Sequence, residues 1–303
     1  MSVTLIAVVI ALLLGHLAQP FVAALRQYDW YADWLRWLSA RFGEGSAWRG
    51  RYGIAIALAV PLLVVGLFQV ALDAPLLGLV GLLFAVAVLV YAWGPRDLDL
   101  DVDAITATTD PVARREAAAR LWPAGQEPLM DGASLVEAVF RNAQRRWFGV
   151  LFWFLLLGPV GALLYRLSVL SVEGEMATQL PATTGEGARR LLAVLDWPVA
   201  QLMTLALALV GNFDTVLAAW REAGGGSASL DNRFLGAVAR ASVRSELVEE
   251  ASDYADENGV VPPRYMAVAT DLPELRDAMS LVWRCLLVWL AVLALFVIAG
   301  WVS

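Results

Sequence analysis

Apolar residues gather in long uninterrupted runs separated by polar stretches of helical period. Gly53–Leu72, Leu76–Gly94, Trp147–Tyr165 and Cys285–Val302 carry no charge, and each approaches the ~20 apolar residues that a bilayer-spanning helix requires. Met1–Leu25 and Trp197–Phe213 are further candidates; the first contains His16, Gln19 and Pro20, and the second is somewhat short. In ATTDPVARREAAARLWP, Asp110 can cap, Pro111 suits a first turn and Pro123 stops the helix. A second helix starts near Asp131 or Ser134, shows an apolar stripe at Leu135, Val139 and Phe140, and runs without a breaker into Trp147–Tyr165. After the flexible GGGSAS at 224–229, residues 230–257 place Phe234, Val238, Val243, Leu247 and Ala251 at helical spacing. Gly259 and Pro262-Pro263 end that helix, and Leu272–Val282 leads into the last span. DLDLDVD at 97–103 reads as a solvated connector, because four Asp at spacing two share no helix face. No strand is predicted.

The expectation is an all-α, polytopic helical membrane protein with four to six membrane-embedded helices and helical cytoplasmic segments. Its parts are an N-terminal apolar helix, Arg-rich loop and hairpin (1–94), a cytoplasmic helical segment (95–146), central membrane helices (147–214), a second cytoplasmic segment (215–282) and a C-terminal span (283–303).

Charge orients the spans, since cytoplasmic loops are enriched in basic residues. Residues 26–52 hold Arg26, Arg36, Arg41, Arg49 and Arg51, whereas Asp73-Ala74-Pro75 holds none, so 53–94 is a hairpin with its ends in the cytoplasm. Residues 95–146 and 215–284 carry seven Arg each and belong on the same side. That parity requires either a crossing by Trp197–Phe213, the preferred reading, or a re-entrant 147–165. Residues 1–25 lack the basic start of a secretory signal, so they are expected to be retained. Trp93, Trp147, Trp153, Trp197, Trp283, Trp289 and Trp301 mostly fall near span ends, as headgroup-level anchors do.

Composition then removes whole classes of chemistry. Of 303 residues 59% are hydrophobic and 17% charged, and all 22 basic residues are Arg. Without Lys there is no Walker A loop and no Schiff base. One Cys (Cys285) and one His (His16) leave no intramolecular disulfide, no Cys-based zinc site and no multi-His metal site. A net charge of −7 opposes broad nucleic-acid binding. No catalytic residue, metal-ligand set or cofactor site is assigned.

Candidate chemistry concentrates at the third run. Arg141, Asn142, Arg145 and Arg146 lie at its entry, and Arg141 and Arg145, four apart, share a face and repel unless an anion or acid lies between them. They form either an anion pocket, suited to guanidinium forks, or positive flanks for lipid headgroups. Tyr165 and Arg166 close the run, and Arg166 has Glu173, Glu175 or Asp196 available as partner. In Gly158-Pro159-Val160-Gly161, the glycines allow close helix approach and Pro159 frees a carbonyl, for packing or for a cavity. Gly158, Gly161 and Ala162 also offer a small-residue contact surface, within one chain or in a homo-oligomer. Asp196 and Pro198 complete the structural candidates.

The blocks RNAQRRWFGVLFWFLLLGPVGALLYRL and LAVLDWPVAQLMTLALALVGNFD, after a helical hairpin and an Arg-rich helix, resemble the AmpE family, a membrane partner in β-lactamase regulation. AmpE is in turn related to the CobD/CbiB proteins, membrane enzymes that attach an aminopropanol unit to a corrinoid carboxylate with ATP. Those enzymes carry Glu-Asn-x-x-Asp ahead of the Gly-Pro block and Asn-Thr-x-Asp after it. Here Asn142 persists, but Arg141 and Arg145 stand at the two acid positions, and Val169, Leu170 and Val172 fall near the later element. Magnesium needs oxygen ligands, so the resemblance implies a scaffold without the ligase reaction. It implies a multi-pass bacterial inner-membrane protein linked to β-lactamase induction and envelope sensing, with an envelope-derived acid such as an anhydromuropeptide as a conceivable ligand. A redirected CobD/CbiB-like enzyme and a small-anion transporter are the alternatives.

Overall fold

A computed structural model describes residues 6–11, 26–72, 78–94, 97–123, 125–227, 230–258 and 272–299. His16, Asp73-Ala74-Pro75, Arg96, the end of GGGSAS, Gly259, Pro262-Pro263 and Trp301 lie outside them. Among the described residues all regular structure is helical. The helices are α1 (Asp29–Arg41), α2 (Gly53–Leu72), α3 (Gly78–Ala92), α4 (Leu98–Thr106), α5 (Pro111–Ala119), α6 (Gly132–Ala143), α7 (Gly149–Leu157), α8 (Pro159–Leu170), α9 (Ala182–Val210), α10 (Phe213–Glu222), α11 (Arg233–Asn258) and α12 (Pro273–Ile298). A π turn, Gln144–Phe148, joins α6 to α7.

Two compact units form: Met1–Asp97, Arg145–Asp196 and Leu293–Ser303 make the first, and Leu98–Gln144 with Trp197–Val292 the second. In the first, α2 and α3 pair as a hairpin, α8 packs on both, and α1 lies against α2. Its core joins Tyr31, Leu35 and Leu38 of α1 to Ile54, Ala57 and Leu58 of α2 and to Leu163 and Leu167 of α8. Pro61, inside α2, has no N–H to offer the carbonyl of Ala57. Trp34 Nε1 donates to that carbonyl instead, at 2.9 Å, so a proline in one helix specifies an indole on another. In the second unit α6 and α10 both pack on α11. The predicted stripe Leu135, Val139 and Phe140 is fully buried there, as are Phe234 and Val238 opposite.

Several expectations change in their boundaries. Among the described residues, three helices are long and apolar enough to cross a membrane: Gly53–Leu72, Ala182–Val210 and Pro273–Leu295. Residues 197–210 of the short Trp197–Phe213 run are thus the second half of a 29-residue helix that starts at Ala182 and carries Pro198 inside it, while Phe213 begins α10. The last span starts before Cys285. Trp147–Tyr165 is no single helix: it breaks at Gly158 into α7 and α8. The 15-residue α3 is shorter than its apolar run.

The expected connector at 97–103 is also corrected, because most of it is helix α4. Leu98, Val102 and Ile105 are buried at spacings of four and three, so the apolar period is helical once residues beyond the acid-aliphatic alternation are counted. Asp99 and Asp101 lie in the first turn, where acids complement the helix dipole.

Candidate functional site

Gly158 adopts φ 71°, a left-handed conformation that favours glycine, and Pro159 begins α8 immediately after it. Such a break exposes backbone groups that a bilayer cannot hydrate. Gln69, the one polar side chain in α2, satisfies both sides of it: Nε2 donates to the Leu157 carbonyl at 3.2 Å, and Oε1 accepts from the Val160 N–H at 3.1 Å. The break therefore needs no ligand to satisfy it. The small residues are used within the chain as well. A Cβ on Gly158 would meet Gln69, one on Gly161 would lie 2.0 Å from the Trp153 carbonyl oxygen, and Ala162 is fully buried.

One turn beyond, Tyr165 is buried against Gly149, where any Cβ would fall 2.1 Å from the phenol ring. This close approach aims the hydroxyl at α9, and it donates to Asp196 Oδ1 at 2.6 Å. Arg145, from the π turn, places Nε 3.5 Å from Asp196 Oδ2 and pairs directly with Glu173. The result is a chain of groups, Tyr165–Asp196–Arg145–Glu173, in which one guanidinium sits among two carboxylates and a phenol.

A second arrangement surrounds the C-terminal end of α3. Arg166 is 2% exposed and donates from Nε to the Ala92 carbonyl at 2.6 Å. Arg26 donates to the carbonyls of Val90 (3.1 Å) and Gly94 (2.6 Å). Arg146 packs its side chain over Gly94, leaving no room for a Cβ, and its carbonyl accepts from the Gly94 N–H at 3.2 Å. Three cations at a helix C-terminus complement its partial negative charge. Burial pulls Arg26 down to about 10 and pushes Tyr28, whose hydroxyl donates to the Tyr91 carbonyl, up to about 12. At neutral pH the first stays cationic and the second neutral.

Four of the six candidate residues, Arg145, Arg146, Tyr165 and Arg166, thus meet in the first unit, divided between these two arrangements. Arg141 and Asn142 belong to the second unit, where both donate to the Leu121 carbonyl at 3.2 and 2.8 Å and tie the end of α5 to α6. Arg141 and Arg145 have different protein partners, the Leu121 carbonyl for the first and Glu173 and Asp196 for the second, and the wider π turn re-aims the side chains beyond Ala143. One expectation is corrected here. Arg166 does not take the acids, because Arg145 occupies Glu173 and Asp196 and leaves Arg166 to a helix end. Sequence reasoning missed Gln69 and Arg26. The isolation of Gln69 in an otherwise apolar span was a usable signal; nothing local marked Arg26.

A stretch of 169 residues is 30% identical to the cobalamin biosynthesis protein CobD of Stutzerimonas stutzeri (strain A1501), covering 54% of this chain and 54% of that protein. The chain therefore spans about half the length of the curated relative it matches. No family model matches the chain, and no solved structure matches it. The likeness supports the CobD/CbiB-like relation that the motifs imply, and with the apolar helices it points to a membrane protein related to that group. The AmpE resemblance rests on the sequence blocks alone.

Proposed function

We propose that this chain is a multi-pass inner-membrane regulatory protein of the AmpE type, linked to β-lactamase induction and envelope sensing, in which a CobD/CbiB-like scaffold persists without the ligase reaction. The observation that carries the non-catalytic part is the position of Arg145 between Glu173 and Asp196. Magnesium requires carboxylate oxygens that are free to coordinate. Here a guanidinium takes two of them, and a second cation beside it would be repelled. The AmpE part is supported by the blocks around Gly158–Arg166 and Asp196–Pro198. If the scaffold takes a ligand, an envelope-derived carboxylate or phosphate is the class that guanidinium forks suit.

Two measurements test the reading. Deleting the gene in a strain with an inducible β-lactamase should change induction, and unchanged induction overturns the regulatory part. Purified full-length protein should neither bind nor hydrolyse nucleotide in magnesium. A second reading, a redirected CobD-like ligase, is favoured by the 30% likeness; turnover of a corrinoid acid with ATP and an amino alcohol would establish it.

A further inference from the structure

A groove of about 1080 Å³ lies between α1 and the α2–α3 hairpin, separate from the Asp196 and Arg166 arrangements. Its walls are almost wholly apolar, and they change in character along the groove. At the end where α2 begins and α3 finishes, Trp30 donates to the Tyr91 hydroxyl at 2.5 Å and Trp34 and Trp37 stack at 5.1 Å. Asp33 is the only charged residue among the described ones that line it. Arg36, one turn on, pairs with Asp33, and both remain largely exposed. From Tyr91 the wall continues through Ala87 and Phe84 to Leu83, roughly 12 Å at 1.5 Å per residue. It has indole, phenol and charged groups at one end and hydrocarbon side chains, Phe84 and Leu83 among them, at the other. The gradient matches an amphiphile. Because α2 is long and apolar enough to span a bilayer, lipid is the medium that fills such a groove.

We propose that the groove binds an aminophospholipid of the phosphatidylethanolamine class, with its acyl chains along α2 and α3, its ammonium at Asp33 and its phosphate at Arg36. Charge complementarity selects this headgroup. The exposed Asp33–Arg36 pair can exchange its internal contact for one partner of each sign, matching a zwitterion that carries a hydrogen-bonding ammonium. A purely anionic headgroup leaves Asp33 unfavourably placed, and a choline headgroup cannot donate a hydrogen bond to it.

The test uses full-length protein in bicelles with three photoactivatable lipids that share one diazirine-bearing acyl chain and differ in headgroup: ethanolamine, choline or glycerol. Labelling mapped to residues 60–65 and 83–91 should favour the ethanolamine probe over the glycerol probe by up to about fivefold, the discrimination of one partly exposed ion pair. Asp33→Asn should abolish the preference while leaving labelling intact. Leu83→Trp, or Val64→Trp should the first fail to fold, fills the groove from a lipid-facing position and should remove labelling by all three. Equal labelling by the three probes identifies ordinary boundary lipid and overturns the proposal, as does a preference for the glycerol probe.

Discussion

Gln69 shows how much one side chain decides in a medium without water. Its amide bridges the Leu157 carbonyl and the Val160 N–H across the α7–α8 break. Leucine there fits the lipid better but strands both backbone groups. Gln69→Leu should therefore destabilise the protein by about 2 to 6 kcal/mol, from two unsatisfied groups at roughly 1 to 3 kcal/mol each. Reversible unfolding in mixed micelles measures it, and a neutral result would mean that the break is satisfied some other way. The same logic explains Trp34, whose indole meets the carbonyl that Pro61 leaves open. Both polar side chains were visible in the sequence, but their partners lie 23 residues away for Trp34 and 88 and 91 for Gln69, so only folding could identify them.

Helix ends, by contrast, are local and were readable. Asp110 and Asp131 cap α5 and α6 through the N–H groups of Ala113 and Ser134, both at 2.9 Å, as the Asp-Pro and Asp-Gly-x-Ser spacing implies. The Ser134 hydrogen bond holds the Asp131 carboxyl below its ordinary range. Since the folded value is depressed, the stability that this cap contributes is present above the unfolded value of about 3.9 and is lost as pH falls through the folded one. Asp131→Ala should cost about 1 kcal/mol at neutral pH. The difference from wild type should shrink below about pH 4 in pH-dependent unfolding; a constant difference would show that the cap is not ionic. Element α4 is where local reading failed. The alternation of Asp with Leu and Val suggested a connector, whereas burial of Leu98, Val102 and Ile105 against the second unit's other helices selects the helical period.

For the whole molecule, the arginine distribution proposes that both ends of the α2–α3 hairpin and the segment after it face the cytoplasm. In a Cys285→Ser background, removing a buried thiol, Glu44→Cys and Thr109→Cys should react with an impermeant maleimide in inverted membrane vesicles and stay unlabelled in spheroplasts. Labelling of either in spheroplasts would reverse the orientation. α9, with 29 residues, is long enough for the crossing that is one of the two ways to meet the charge parity, the other being a re-entrant 147–165.

What the amino-acid order determined by itself is whatever depends on near neighbours and on solvent: the apolar runs, the all-helical character, the capping residues and the break at Gly158-Pro159. These follow from periodicity, backbone geometry and hydrophobicity over a few turns. Tertiary structure alone decided which charges meet. Arg145, Arg146 and Arg166 look alike in the sequence, yet Arg145 is enclosed by Glu173 and Asp196 while Arg166 and Arg26 cap α3 from 74 and 68 residues away. The reason is physical: burying a guanidinium is costly unless an acceptor is already in place, and acceptors are positioned by helix packing rather than by chain proximity.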